Sequence, residues 1–130
     1  MKIKDAQLIV GDVVIFDEER KRHQIIDVRN DLQVEMCPSV YTVHILVKMW
    51  FEEGTDQAFL IVLDPHNDVV FQKELPPLEN YRTAKMNAGM DCSLEVKMLV
   101  TVEGNYRIEL YGSSGLMTEY PVYVLRKTIE

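Results

Sequence analysis

The feature that most constrains this chain is a period of two. From residue 41, YTVHILVKMWF sets Tyr41, Val43, Ile45, Val47, Met49 and Phe51 on one side and Thr42, His44, Leu46, Lys48 and Trp50 on the other. Successive side chains of an extended strand point to opposite faces, whereas apolar positions on a helix recur every three or four residues. The pattern therefore specifies a half-buried strand. From Leu94 it recurs, with Leu94, Val96, Met98, Val100 and Val102 set against Glu95, Lys97, Leu99 and Thr101. Strands of roughly ten residues suit one layer of a sandwich.

Shorter strands are predicted at Ile3 to Val10, Val13 to Phe16, His23 to Val28, Leu32 to Met36, Gln57 to Asp64, Val69 to Leu75, Tyr106 to Tyr111 and Leu116 to Leu125. Turn residues separate them at nearly regular intervals, which points to an all-β sandwich or barrel rather than βαβ units. The stretch Pro76 to Asp91, PPLENYRTAKMNAGMD, reads either as one or two helical turns after the prolines or as a loop crossing between sheets. With no repeat, low-complexity tract or linker, one domain spanning residues 1–130 is expected. A chain of this length buries roughly two thirds of its unfolded surface without a disulfide or metal staple. The expected fold is all-β: a two-layer antiparallel β-sandwich in Greek-key order, immunoglobulin-like or C2-like.

Several short motifs resemble chemistry and read better as turns. DPHND, residues 64 to 68, holds four potential metal ligands, yet it lies between the apolar runs Phe59 to Leu63 and Val69 to Phe71. Pro65 supplies the fixed φ that a turn favours, and the segment lacks the length, glycine and closing glutamate of a calcium loop. A hairpin is expected there. YGSSG, residues 111 to 115, fails the spacing of a nucleophile elbow for both Ser113 and Ser114, so Gly112 and Gly115 are expected to supply the positive φ angles of another hairpin. His23, His44 and His66 stand at no ligand spacing, and no phosphate-binding glycine loop precedes a helix.

A formal charge of −7 opposes binding to a phosphate backbone or an anionic membrane, so neither nucleic acid nor membrane is expected as a partner. The basic run Arg20-Lys21-Arg22 follows Asp17-Glu18-Glu19 directly and reads as a self-neutralising loop. Cys37 and Cys92 have no metal-ligand or CxxC spacing and are expected as two buried free thiols. No apolar stretch or leader pattern suggests a membrane span or export, which makes a cytoplasmic location the expectation.

Trp50 is the sole tryptophan, on the strand face that also carries His44 and Lys48 next to the acidic loop Glu52-Glu53. These three residues form the candidate binding surface, with Tyr41, Tyr111 and Tyr123 as further aromatic platforms. A loop crossing the same face, such as Pro76 to Asp91, is the competing explanation for Trp50.

The segments "LDPHNDVVFQKELPP" and "VEGNYRIELYGSSGLMTEYPVYVLRK" resemble a family of small bacterial β-sandwich proteins that carries only the designation of a domain of unknown function. The resemblance rests on Asp5-Ala6-Gln7 at the first strand, Leu75-Pro76-Pro77, the strand opening Gly104-Asn105-Tyr106, and Pro121-Val122 in the closing hairpin. Val13 to Met36, with its DEERKRHQ loop, departs from that pattern. The resemblance implies a sandwich fold and no catalytic residues. A tyrosine near a strand start, as at Tyr106, also ties a loop to the sheet in many immunoglobulin-like domains.

These observations lead to the expectation of a non-enzymatic interaction module with no cofactor, metal or catalytic residue. It would bind an unidentified protein partner through a strand edge or through end loops such as Asp17 to Arg22. The alternative is a small-ligand or carbohydrate binder built on Trp50 and the exposed aromatics. Edge pairing of the long Tyr41 to Phe51 strand would give a homodimer.

Overall fold

A computed structural model describes residues 1–127. Its strands are β1 (Lys2–Asp17), β2 (Arg22–Val28), β3 (Asp31–Val34), β4 (Ser39–Glu52), β5 (Phe59–Leu63), β6 (Val69–Glu74), β7 (Gly89–Val100), β8 (Gly104–Gly112) and β9 (Gly115–Arg126). One sheet has the order β2-β1-β4-β7 and the other β3-β9-β8-β5-β6. The alternation of β4 becomes its burial pattern: Val43, Ile45, Val47, Met49 and Phe51 are buried, and Thr42 and Trp50 are exposed on the opposite face. Leu94, Val96, Met98 and Val100 of β7 point into the same core. The second sheet answers with Leu60, Val62, Ile108, Leu110, Val122 and Val124, so a single apolar cluster joins the two layers. Leu60 is fully buried, and removing such a side chain from water stabilises the fold by about 1.5–3 kcal/mol.

The order β9-β8-β5 reproduces the G-F-C sequence of an immunoglobulin-like sheet, with β6 beside β5 as in variable-type domains. The order β1-β4-β7 reproduces A-B-E of the facing sheet. Tyr106, at the start of β8, has no exposed surface, and its hydroxyl donates to the carbonyl of Val102 at 2.8 Å. That is a tyrosine corner, and together with the strand order it makes the architecture an immunoglobulin-like sandwich.

Several local expectations need correction. Ile3 to Val10 and Val13 to Phe16 are one strand, because Gly11 continues the backbone and pairs both with His44 of β4 and with Val28 of β2. The sheets are not antiparallel throughout, since β3 runs parallel to β9. Of the two readings left open for Pro76 to Asp91, the structure takes the loop: residues 75–88 form no helix and carry the chain from β6 in one sheet to β7 in the other. Of the two hairpin glycines, Gly115 has a φ of +121°, while Gly112 is not in the left-handed region and leaves room for Asp56, whose Oδ2 would stand 3.1 Å from a Cβ there. Cys37 and Cys92 are free, as expected, though half-buried rather than buried.

DPHND closes the β5–β6 hairpin. Asp64 is buried, and its Oδ1 accepts the amides of His66 at 2.8 Å and Asp68 at 2.9 Å. The carboxylate takes the place of missing backbone partners in a tight turn.

Candidate functional site

The outward face of the first sheet positions the site. Across it Gln7 of β1, Lys48 of β4 and Asp91 of β7 stand in one cross-strand row. Beyond Gly11 the β1 strand leaves β4 and pairs only with β2. A straight strand would carry Phe16 roughly 30 Å past Gln7 at about 3.3 Å per residue. Instead Phe16 and His23, paired near the tip of this hairpin, line the same groove as Asp91. The hairpin is thus folded back over the sheet. This explains why Leu46, which shares the outward face with His44 and Lys48, is only 4% exposed. It also explains Gly11: a Cβ there would lie 2.5 Å from Cγ2 of Ile25.

The groove beneath the hairpin tip has a volume of about 620 Å³. Phe16, Lys21 and His23 form one wall, Tyr81, Thr83 and Met86 of the crossing loop the other, and Arg82 and Asp91 lie between them. The Phe16 and His23 rings stand 4.9 Å apart, tilted by 50°. Asp91 binds two cations, with Lys48 Nζ at 3.1 Å and Arg82 Nη2 at 2.5 Å. Burial holds the His23 imidazole below its ordinary pKa; Asp91 opposes that shift, while Lys48 and Arg82 reinforce it.

The crossing loop is fixed in place by Asn80, whose Oδ1 accepts the amides of Arg82 at 2.9 Å and Gly89 at 3.1 Å. Gly89 lets Arg82 lie against the sheet, since a Cβ at that position would stand 2.6 Å from the Met49 carbonyl and 3.1 Å from Arg82 Nε. A side chain at 89 would displace the guanidinium.

Of the three residues singled out in the sequence, Lys48 and Trp50 come together and His44 does not join them. Lys48, Trp50 and Arg82 line a smaller depression of about 220 Å³ beside the groove. Trp50 is 39% exposed, and the ammonium of Lys4 lies 5.4 Å from its ring centroid, within range of a cation–π contact. His44 is engaged elsewhere: its Nδ1 lies 2.7 Å from the Asp12 carbonyl, an acceptor, so this nitrogen carries the proton. Tyr111 and Tyr123 belong to the other sheet, where Tyr111 stacks on Phe59 at 5.2 Å. They form no common platform with Trp50.

The Asp17 to Arg22 loop is self-neutralising, with Lys21 paired to Glu18 at 3.3 Å and Arg20 near Asp17 at 3.8 Å. The strand Tyr41 to Phe51 is not a free edge, because from His44 onward β4 pairs with β1 on one side and β7 on the other. Edge pairing must use a different strand. Among the described residues no helix is long and apolar enough to cross a membrane.

Sequence reasoning missed Phe16, His23, Tyr81, Arg82 and Asp91 as one group. One signal was available. The pairing of β4 with β7 sets Lys48 opposite Asp91, and opposite charges across a strand pair are a recognisable contact once the register is known.

No family model matches the chain, and no curated protein matches it. Among solved structures, the chain is similar to an immunoglobulin-like protein from Pseudomonas aeruginosa, with 12% identity, a TM-score of 0.44 and 95% of each chain covered. It is also similar to part of a beta-glucosidase from Listeria innocua, with 10% identity and a TM-score of 0.45, covering 97% of this chain and 16% of the glucosidase. The same enzyme in complex with isofagomine gives 10% identity and a TM-score of 0.46, covering 97% of this chain and 17% of that one.

Proposed function

We propose that the protein is a non-enzymatic interaction module that binds another protein through the outward face and free edge of the β1–β2 hairpin. One observation carries this reading. Val13, Ile15 and Ile26 alternate onto a single face of the hairpin and are 39%, 44% and 43% exposed. Isolated exposed aliphatic residues are ordinary on a soluble domain, but three β-branched side chains in register on a ribbon form a contiguous patch. The outer strand of that ribbon, β2, is also a sheet edge, where backbone groups are open to a partner strand. The net charge of −7 disfavours an anionic lipid surface as the occupant and leaves a protein surface.

Parallel capture from native cells with mild cross-linking tests the reading, using wild-type protein, an Ile26→Lys variant, and Leu116→Lys as a control on the other sheet. Leu116 is 49% exposed, so the control adds a charge at a comparably open position. A protein held by the wild type and the control but absent from the Ile26→Lys sample supports the hairpin as the docking surface. Identical capture by all three overturns it.

A carbohydrate site at Trp50 has weaker support. Its depression of about 220 Å³ is smaller than typical small-molecule sites of roughly 300–1,000 Å³. The ring already has Lys4 as a neighbour.

A further inference from the structure

We propose that the groove beneath the β1–β2 hairpin binds a small organic anion with a flat apolar body, with Arg82 and Lys21 receiving the anionic group. The groove lies on the inner side of the hairpin, opposite the Val13 and Ile26 face. It therefore stands independently of the protein-docking surface.

Size comes first. At about 620 Å³ the groove falls within the range of small-molecule sites. Its walls suit a planar body: Phe16 and His23 present tilted rings on one side, and Tyr81 and Met86 are 67% and 52% exposed on the other. Aromatic faces favour offset or edge-on stacking, and an unbranched thioether adapts to varied shapes.

Charge selects the ligand. Among the described residues Asp91 is the single carboxylate lining the groove, and its two oxygens already bind Lys48 and Arg82. Two cations against one anion leave a positive excess at the floor. Lys21 adds a third cation at the mouth, offset by the exposed carboxylate of Glu18. A local positive excess in a chain of net charge −7 is a selective feature, since it attracts an anion and repels a cation. The contact to Asp91 uses only Nη2 of Arg82, and a guanidinium carries five N–H donors in a planar fork suited to a carboxylate.

His23 adds a pH dependence. Burial lowers the pKa of its ring, so at neutral pH the lining sets Arg82 and Lys21 against Asp91, with Lys48 bound to Asp91 and the Glu18 and Glu79 carboxylates outside the lining on Lys21 and Tyr81. Acidification below the ordinary imidazole range protonates His23 and strengthens anion binding until the ligand itself takes up a proton.

The test titrates naphthoate, neutral naphthamide and cationic naphthylmethylammonium into the full chain and follows backbone amides by NMR. The three probes share one aromatic body and differ in charge. The expected result is that naphthoate shifts the amides of Phe16, His23, Tyr81 and Arg82 and binds at least about tenfold tighter than the amide, a difference of about 1.4 kcal/mol. The ammonium probe produces no comparable shifts. Lys21→Gln, in an exposed ion pair, leaves the fold intact and weakens naphthoate alone; Arg82→Gln weakens it further. Equal affinity for naphthoate and naphthamide, shifts confined to the Val13 and Ile26 face, or no binding of any probe would overturn the proposal.

Discussion

Ile25 occupies the space that a side chain at Gly11 would need: its Cγ2 stands 2.5 Å from the position of a Cβ there, and the Ile26 carbonyl oxygen stands 3.3 Å away. The contact exists because the hairpin folds back over the strand from which it springs. Gly11→Ala is expected to destabilise the protein by about 1 kcal/mol, because overpacking costs about 1–3 kcal/mol and the loss of glycine's freedom in the unfolded chain returns part of it. Combining it with Ile25→Ala removes the obstructing methyl. The double variant should be more stable than the sum of the single changes predicts, by about 0.5 kcal/mol or more in urea unfolding. Additive effects would show that Ile25 does not rest on Gly11.

Tyr106→Phe isolates the corner bond. The ring is fully buried and its hydroxyl reaches the Val102 carbonyl at 2.8 Å, so the substitution keeps the packing and removes one donor. A carbonyl left short of a partner costs about 1–3 kcal/mol. The expected outcome is a fall in Tm of roughly 4–11 °C with an unchanged urea m-value. A Tm equal to that of the wild type would remove the corner from the account of stability.

What the chain disclosed before its structure was known follows from how local each signal is. The alternations of β4 and β7 and the Asp-Pro turn after β5 are encoded within a few residues, and they map onto the fold nearly without adjustment. Tyr106 was legible for the same reason. Gly11-Asp12 looks locally like a break between strands, yet β1 runs through it because β4 and β2 pair with it on opposite sides. The parallel pairing of β3 with β9 joins residues about ninety positions apart through a strand of four residues, too short to carry a pattern. The groove was illegible because its walls come from residues 16–23 and 81–91, which meet only after the hairpin folds back. Trp50 drew attention by its rarity, whereas Arg82 and Asp91 look ordinary until they lie side by side.

Asp56 links acid stability to the end of the sandwich. Its carboxylate accepts the amides of Ile3 at 3.1 Å, Gln57 at 2.9 Å and Ser113 at 2.6 Å, so it joins the first strand to the β8–β9 hairpin. Burial alone would raise its pKa, but the bonds from Ser113, Ile3 and Gln57 outweigh it and hold the carboxyl below the ordinary value. A depressed folded-state pKa contributes stability above the unfolded value of about 3.9, and that stability is lost as pH falls through the lower folded value. Wild-type protein should therefore lose stability relative to Asp56→Asn as pH drops below about 4. At neutral pH the variant should be less stable by on the order of 1 kcal/mol, since the site is half-exposed and screened. Parallel pH dependence in the two proteins would mean that the carboxylate is not selectively stabilised by folding.

Cys92 sits beside Asp91, and burial, with a smaller push from that carboxylate, raises its thiol pKa to about 11. The thiolate is the reactive form, so at pH 8 only roughly one part in a thousand of Cys92 is nucleophilic. In a Cys37→Ser background, which leaves Cys92 as the sole thiol, labelling by iodoacetamide at pH 8 should be at least about a hundredfold slower than labelling of an unfolded control in urea. The rate should still be rising at pH 10, where an ordinary thiol has levelled off. Rapid labelling with a plateau near pH 9 would place Cys92 in solvent and contradict its packing against the core between the sheets.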